Sequence, residues 1–232
     1  MQETPHKRRF AISDIHGCAR TFKRLVKHKL NIRPGETLYL LGDYINRGPD
    51  AKGVLDYIFK LEQKGVNIHA LRGNHEDLFL KALYSKPLRR NFLLNGGDVT
   101  LRSFGVKQIE DIPEVYVSYL RQLGYYFEVE DKILVHAGLN FQEKDIFKDR
   151  EAMLWLKNMT LDKKKLGDRY VIHGHTPESK LEIKRQFHKT PRPQLLNIDG
   201  GCVYYKRFGA RLCALNLDTW ALKFSKNVDF VS

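Results

Sequence analysis

An α/β fold built on a parallel sheet is what this sequence predicts, and three observations predict it. Short apolar runs alternate with amphipathic helical segments from the amino terminus onward, the pattern of repeated strand-helix-strand units. The runs are brief and apolar, as buried parallel strands are. Each ends in residues able to bind a cation, and open α/β sheets place their ligands beyond strand carboxyl ends. At 232 residues the chain suits one sizeable domain spanning 1–232, with ample material for a core.

The first strand is Arg9 to Ser13, and it delivers Asp14-Ile15-His16-Gly17. Asp14 and His16, two apart on an extended segment, point to one side and can share an ion; a structural Asp-turn is the bland reading. Cys18, Phe22, Leu25, Val26 and Leu30 then recur at helical spacing. The second run, Leu38 to Leu41, ends in Gly42-Asp43, and Gly48-Pro49-Asp50 turns into a helix marked by Val54, Leu55, Ile58 and Leu61 and closed by Gly65. A third strand, Val66 to Leu71, opens into Gly73-Asn74-His75-Glu76. Asn74 is either a ligand through its amide oxygen or the cap of the next helix.

From His75 to about Leu123 the pattern is mostly helical, with a loop at Asn95 to Asp98 for which no chemical role is expected. Tyr125 to Val129 and Lys132 to Val135 read as a hairpin whose second strand ends in His136. Trp155 sits in a short helical stretch and is expected in the core. Residues 158–167 are polar and lysine-rich and are expected to form an exposed, mobile loop. Tyr170 to Ile172 opens into His173-Gly174-His175-Thr176-Pro177, where one of the two histidines can complete a metal site. The remainder reads as β-rich, with a strand at Leu195 to Ile198 and a closing hairpin, Leu212 to Leu217 and Trp220 to Phe224.

Composition narrows the classes. The net charge of +13 favours acidic partners such as phosphorylated substrates, with nucleic acid not favoured because no basic run is interleaved with aromatics; solvated surface lysines are the bland account. No apolar run is long enough to span a membrane, and the basic Met1 to Arg9 stretch lacks the apolar segment of a signal peptide. Three cysteines without CxxC spacing point to a reducing cytoplasm.

Together the blocks Asp14-Ile15-His16-Gly17, Gly42-Asp43-Tyr44-Ile45-Asn46-Arg47-Gly48, Gly73-Asn74-His75-Glu76, Val135-His136-Ala137-Gly138 and Gly174-His175-Thr176-Pro177 resemble the calcineurin-like metallophosphoesterase superfamily. In particular they resemble its bacterial and phage phosphoprotein phosphatase branch. The resemblance runs from about Phe10 to Gly201 and implies an αββα sandwich with a dinuclear metal site at its strand ends. It assigns Asp14 and His16 to one ion, Asn74, His136 and His175 to the other, and Asp43 to both. Such a donor set suits manganese first, with iron, zinc or nickel as alternatives. The resemblance also makes His75 the general acid and Arg47 a bidentate phosphate ligand.

Two positions depart from the family pattern. Asn46 stands where an Asp usually orients the catalytic histidine. Lys157 stands where an arginine usually binds phosphate, and Arg150 is the nearby substitute. The function expected is a serine/threonine protein phosphatase using a metal-bound hydroxide. The rival within the fold is a dinucleoside polyphosphate hydrolase, and the rival outside it is a basic phosphopeptide or nucleic-acid binding protein with a relic metal site.

Overall fold

The computed structural model describes residues 7–204 and 208–230, and among these nine strands form two sheets. Residues 1–6 of the basic amino-terminal stretch lie outside the described residues. β1 (Arg9–Ile12), β2 (Thr37–Leu40) and β3 (Asn67–Ala70) are parallel, in the order β3-β2-β1. The helix between β1 and β2 starts as α1 (Ala19–Arg24) and widens into a π-helical turn, Leu25–Leu30. α2 (Ala51–Gln63) connects β2 to β3, its amino terminus capped by Asp50, which accepts from Gly53 N at 2.8 Å.

The middle of the chain is helical as expected: α3 (Asn74–Ala82), α4 (Lys86–Phe92), α5 (Asp98–Phe104) and α6 (Glu114–Gln122). β4 (Tyr126–Val129) and β5 (Lys132–Val135) form the antiparallel hairpin that opens the second sheet. After α7 (Arg150–Trp155) and α8 (Lys163–Leu166), β6 (Tyr170–His173) adds parallel to β5. α9 (Lys180–His188) leads to β7 (Leu195–Asn197), parallel to β6. β8 (Arg211–Asn216) and β9 (Leu222–Lys226) return to the first sheet, antiparallel, beside β1.

Strand alternation builds the layers. On β1, Phe10 and Ile12 face the helices α1 and α2, whereas Ala11 faces the second sheet. β5 mirrors this, with Leu134 inside and Ile133 and Val135 directed at Met153 and Leu166 outside. Helices, sheet, sheet and helices are thus stacked over three apolar layers, the αββα arrangement. No helix among the described residues is long and apolar enough to cross a membrane.

Three local expectations are corrected. Residues 158–167 are not simply a mobile loop, because α8 buries Leu166 and Lys165 Nζ donates to Phe141 O at 2.7 Å and Glu143 O at 2.8 Å. Trp155 is 41% exposed rather than core, since α7 turns Met153 and Leu154 inward instead. The β-rich remainder, which holds β7, β8 and β9, also holds an unexpected helix: α9 starts from a capping box in which Ser179 and Glu182 satisfy each other's backbone N–H groups.

Candidate metal centre

The carboxyl ends of β1, β2 and β3 from one sheet, and of β5 and β6 from the other, meet at one edge of the sandwich. Backbone bonds lace their loops together: Ile15 and His16 donate to Asp43 O at 3.0 and 2.8 Å, and Gly174 donates to His136 O at 2.8 Å. Close approach there requires glycine. A Cβ on Gly42, whose φ is +102°, would stand 2.6 Å from Gly73 N, and one on Gly174 would stand 2.1 Å from Asp14 Oδ2. His16, Asp43, Asn46, Arg47 and His175 all hold positive φ, a concentration of unfavourable backbone of the kind found at functional sites.

Five of the six residues expected as ligands approach one another through their side chains, and Asp14 joins them through the His175 backbone. Asp43 Oδ2 lies 3.4 Å from His16 Nε2, and its Oδ1 lies 3.6 Å from His136 Nε2. Asn74 Oδ1 lies 2.9 Å from His136 Nε2 and 3.1 Å from His175 Nδ1. Asp14 accepts from His175 N at 3.1 Å and from Ser13 Oγ. Two groups could each hold an ion, His16, Asp43 and His75 in one and Asp43, His136 and His175 in the other, their ligand atoms within 4.8 Å of one another. Asp43 belongs to both. Gly73 takes the cap position of α3, so Asn74 is not the cap and its side chain is directed at the two histidines.

Donor chemistry fits cations. His136 Nδ1 engages Leu41 O at 2.9 Å, which places the ring proton there and a lone pair on Nε2. That lone pair confronts the Asn74 carbonyl oxygen, another acceptor. His16 repeats the arrangement, with Nδ1 on Ile45 O at 3.1 Å and Nε2 toward the Asp43 carboxylate. At His136 and Asn74 the converging lone pairs repel unless a positive charge lies among them, whereas at His16 the Arg47 guanidinium supplies one. Burial, then the charge of Arg47, pushes His16 down to about 3, and burial, then His136, pushes His175 down to about 4. Both rings are therefore the neutral form that ligates metals. Burial, together with Glu76 and Asp14, pushes the Asp43 carboxyl well up, the mark of negative charge without enough compensation.

Around this cluster sit groups that hold it. Glu76 accepts backbone N–H bonds from Gly73, Asp43, Tyr44 and Ile45 at 2.9, 2.8, 2.8 and 3.2 Å, which locks the β2 and β3 exits together. Arg47 Nη1 donates to His16 Nε2 at 2.8 Å, and its guanidinium lies 5.5 Å over the Tyr204 ring. His75 N donates to Asp43 Oδ1 at 3.1 Å, and His75 Nδ1 lies 2.9 Å from the Asn46 amide nitrogen. Thr100 orients that amide: its hydroxyl accepts from Asn46 N at 2.9 Å and donates to Asn46 Oδ1 at 2.7 Å. The loop Asn95 to Asp98, expected to lack a role, contributes Gly96 O, which accepts from Arg47 N at 3.3 Å. Lys157 is exposed but close enough for its charge to act on His175. Arg150 instead lays its guanidinium 4.9 Å over Tyr125.

The family model for calcineurin-like phosphoesterases matches residues 8–215. The chain belongs to that family. That family is one of phosphoesterases that use divalent metals. A symmetrical bis(5'-nucleosyl)-tetraphosphatase of Acidovorax sp. (strain JS42) is 38% identical over 137 residues, 56% of this chain and 43% of that protein. A solved structure provisionally described as a diadenosine tetraphosphatase superposes with TM-score 0.63 at 22% identity, covering 97% of this chain and 95% of the other. A protein serine/threonine phosphatase from Saccharomyces cerevisiae superposes with TM-score 0.64 at 16% identity, covering 100% and 83%, a likeness of fold alone.

The chain spans from 26% to 50% of the length of the curated relatives cited for it. Those relatives carry the tetraphosphatase name, so the expectation of a serine/threonine protein phosphatase is overturned. The five blocks could not separate the two, because they build the metal edge that both activities share.

Proposed function

We propose that the protein hydrolyses the phosphoanhydride chain of dinucleoside polyphosphates of the bis(5'-nucleosyl) tetraphosphate type. One observation carries the reading beyond the names of the relatives. His75 Nδ1 faces the Asn46 amide, held donor-first by Thr100, and not a carboxylate, while Nε2 lies 4.0 Å from Asp43 Oδ2 on the metal side. Neither Glu76 nor Asp50 replaces that carboxylate, since Glu76 accepts four loop N–H groups and Asp50 caps α2.

An amide that donates to Nδ1 leaves the ring proton on Nε2 and gives an imidazolium no support at Nδ1. His75 then offers a neutral hydrogen bond but is a poor acid. That matters little when a nucleotide leaves, because a phosphate oxygen ionises with a second pKa of about 6. It matters greatly for a serine alkoxide, whose basicity approaches that of hydroxide, with a parent pKa of about 15.7.

In this reading Asp14, His16 and Asp43 hold one divalent ion, and Asp43, Asn74, His136 and His175 hold the second. When bound, such a pair polarises phosphoryl oxygens and lowers the pKa of water toward neutrality. Manganese is the metal proposed. Arg47, braced on Tyr204, and Lys157 bind the phosphate chain, and with 40 Lys and Arg against 27 Asp and Glu the surface favours its approach. Glu76 keeps the loops in place while charge shifts among the phosphates. Incubation of the manganese-reconstituted protein with diadenosine tetraphosphate, read by nucleotide chromatography, tests this: ADP release supports it, and intact substrate alongside hydrolysis of p-nitrophenyl phosphate would overturn it.

A further inference from the structure

Beside His175 lies a cavity of about 270 Å3, bounded by Lys157, Asn158, His173, Thr176, Glu178 and Asn197, with Met159 and Leu195 as apolar wall. Its position is set by β6, because His173 and Thr176 flank the Gly174-His175 turn of the candidate metal centre. Lys157 belongs to both places: it lines the cavity and its charge reaches His175.

The wall is built by paired groups. Asn197 Nδ2 donates to Thr176 O at 2.6 Å, its Oδ1 accepts from Asp199 N at 2.8 Å, and its own N–H donates to Gln186 Oε1 at 2.9 Å. Gln186 Nε2 donates to Glu178. A cavity so braced is largely pre-formed, just below the usual size range of small-molecule sites. Beyond the bracing, a carboxylate with further lone pairs, the His173 Nε2 acceptor and the Asn158 amide line it. A carboxylate repels phosphate but accepts from exocyclic amines and ring N–H groups, and the Met159 and Leu195 surfaces suit a flat heterocycle.

We propose that this cavity is a nucleoside subsite, which takes one base of the dinucleotide while its phosphates pass Lys157 to the strand ends. The inference rests on the proposed function for its substrate but makes a separate claim about place. Two variants test it: Asn158→Trp, an exposed position whose enlargement obstructs the cavity, and Glu178→Gln, which removes the carboxylate. The decisive quantity is the KM for diadenosine tetraphosphate divided by the KM for inorganic tripolyphosphate on the same protein, so that general damage cancels.

That ratio is expected to rise about tenfold in both variants, the size of one lost buried polar contact of about 1.4 kcal/mol. A ratio equal to wild type in both would overturn the subsite. Saturation-transfer NMR with adenosine on the manganese-loaded protein separates this claim from the catalytic one. Adenosine contact in wild type that Asn158→Trp abolishes supports the subsite even if the tetraphosphate is not cleaved, and contact unaffected by Asn158→Trp contradicts it.

Discussion

Replacing Asn46 by Asp puts a carboxylate 2.9 Å from His75 Nδ1, where the amide nitrogen now stands. Thr100 still donates to one oxygen, as it donates to Asn46 Oδ1 at 2.7 Å, so the second oxygen is left to accept from a protonated ring. An adjacent opposite charge moves a pKa by about 1 to 3 units toward the charged form, which restores a working acid from a neutral ring. General acid catalysis contributes about 10²- to 10⁴-fold, and a site not otherwise adapted to it should recover the lower part. Asn46→Asp is therefore expected to accelerate hydrolysis of a phosphoserine peptide by about 10- to 100-fold. Diadenosine tetraphosphate and p-nitrophenyl phosphate, whose leaving groups depart unprotonated, should change by less than about threefold. Steady-state kcat/KM on the three substrates checks this. Equal acceleration on all three, or none on any, would refute the idea that Asn46 acts through the leaving group.

Glu76→Gln turns one acceptor of a four-bond clamp into a donor facing N–H groups, and should destabilise the fold by about 3 kcal/mol, seen as a lower urea midpoint. Gly174→Ala drives a methyl into Asp14 and should weaken metal affinity by about 10- to 100-fold, measured by competition with a chelator, while the melting temperature falls less. Leu166→Ala should cost about 2 to 4 kcal/mol, because α8 buries that side chain; a change under about 0.5 would return residues 158–167 to the status of a loose loop.

The sheet and the metal edge were legible because chemistry and pattern coincide in this chain: an apolar run of strand length stops at Asp14, Asp43, Asn74, His136 and His175 in turn. The support of Asn46 was not legible. Thr100 lies 54 residues away and reaches it only through the packing of α5 on α2. Glu76 was visible as part of a block, but its role is to accept from loops that sequence order alone does not bring together. Helix α9 was within reach, since Ser179 and Glu182 have capping-box spacing. Trp155 shows the opposite failure, an apolar residue type read as core when the turn of α7 leaves it partly exposed at the metal edge, its ring 6.3 Å from that of His175.

The proposed chemistry, metal-dependent phosphoanhydride cleavage without a carboxylate behind Nδ1 of the acid, is tested most directly by one ratio. On the manganese-reconstituted wild-type protein, kcat/KM for diadenosine tetraphosphate is expected to exceed that for a phosphoserine peptide by at least about 100-fold, the low end of what a general acid would contribute to the ester. A ratio near one, or in favour of the peptide, would contradict it.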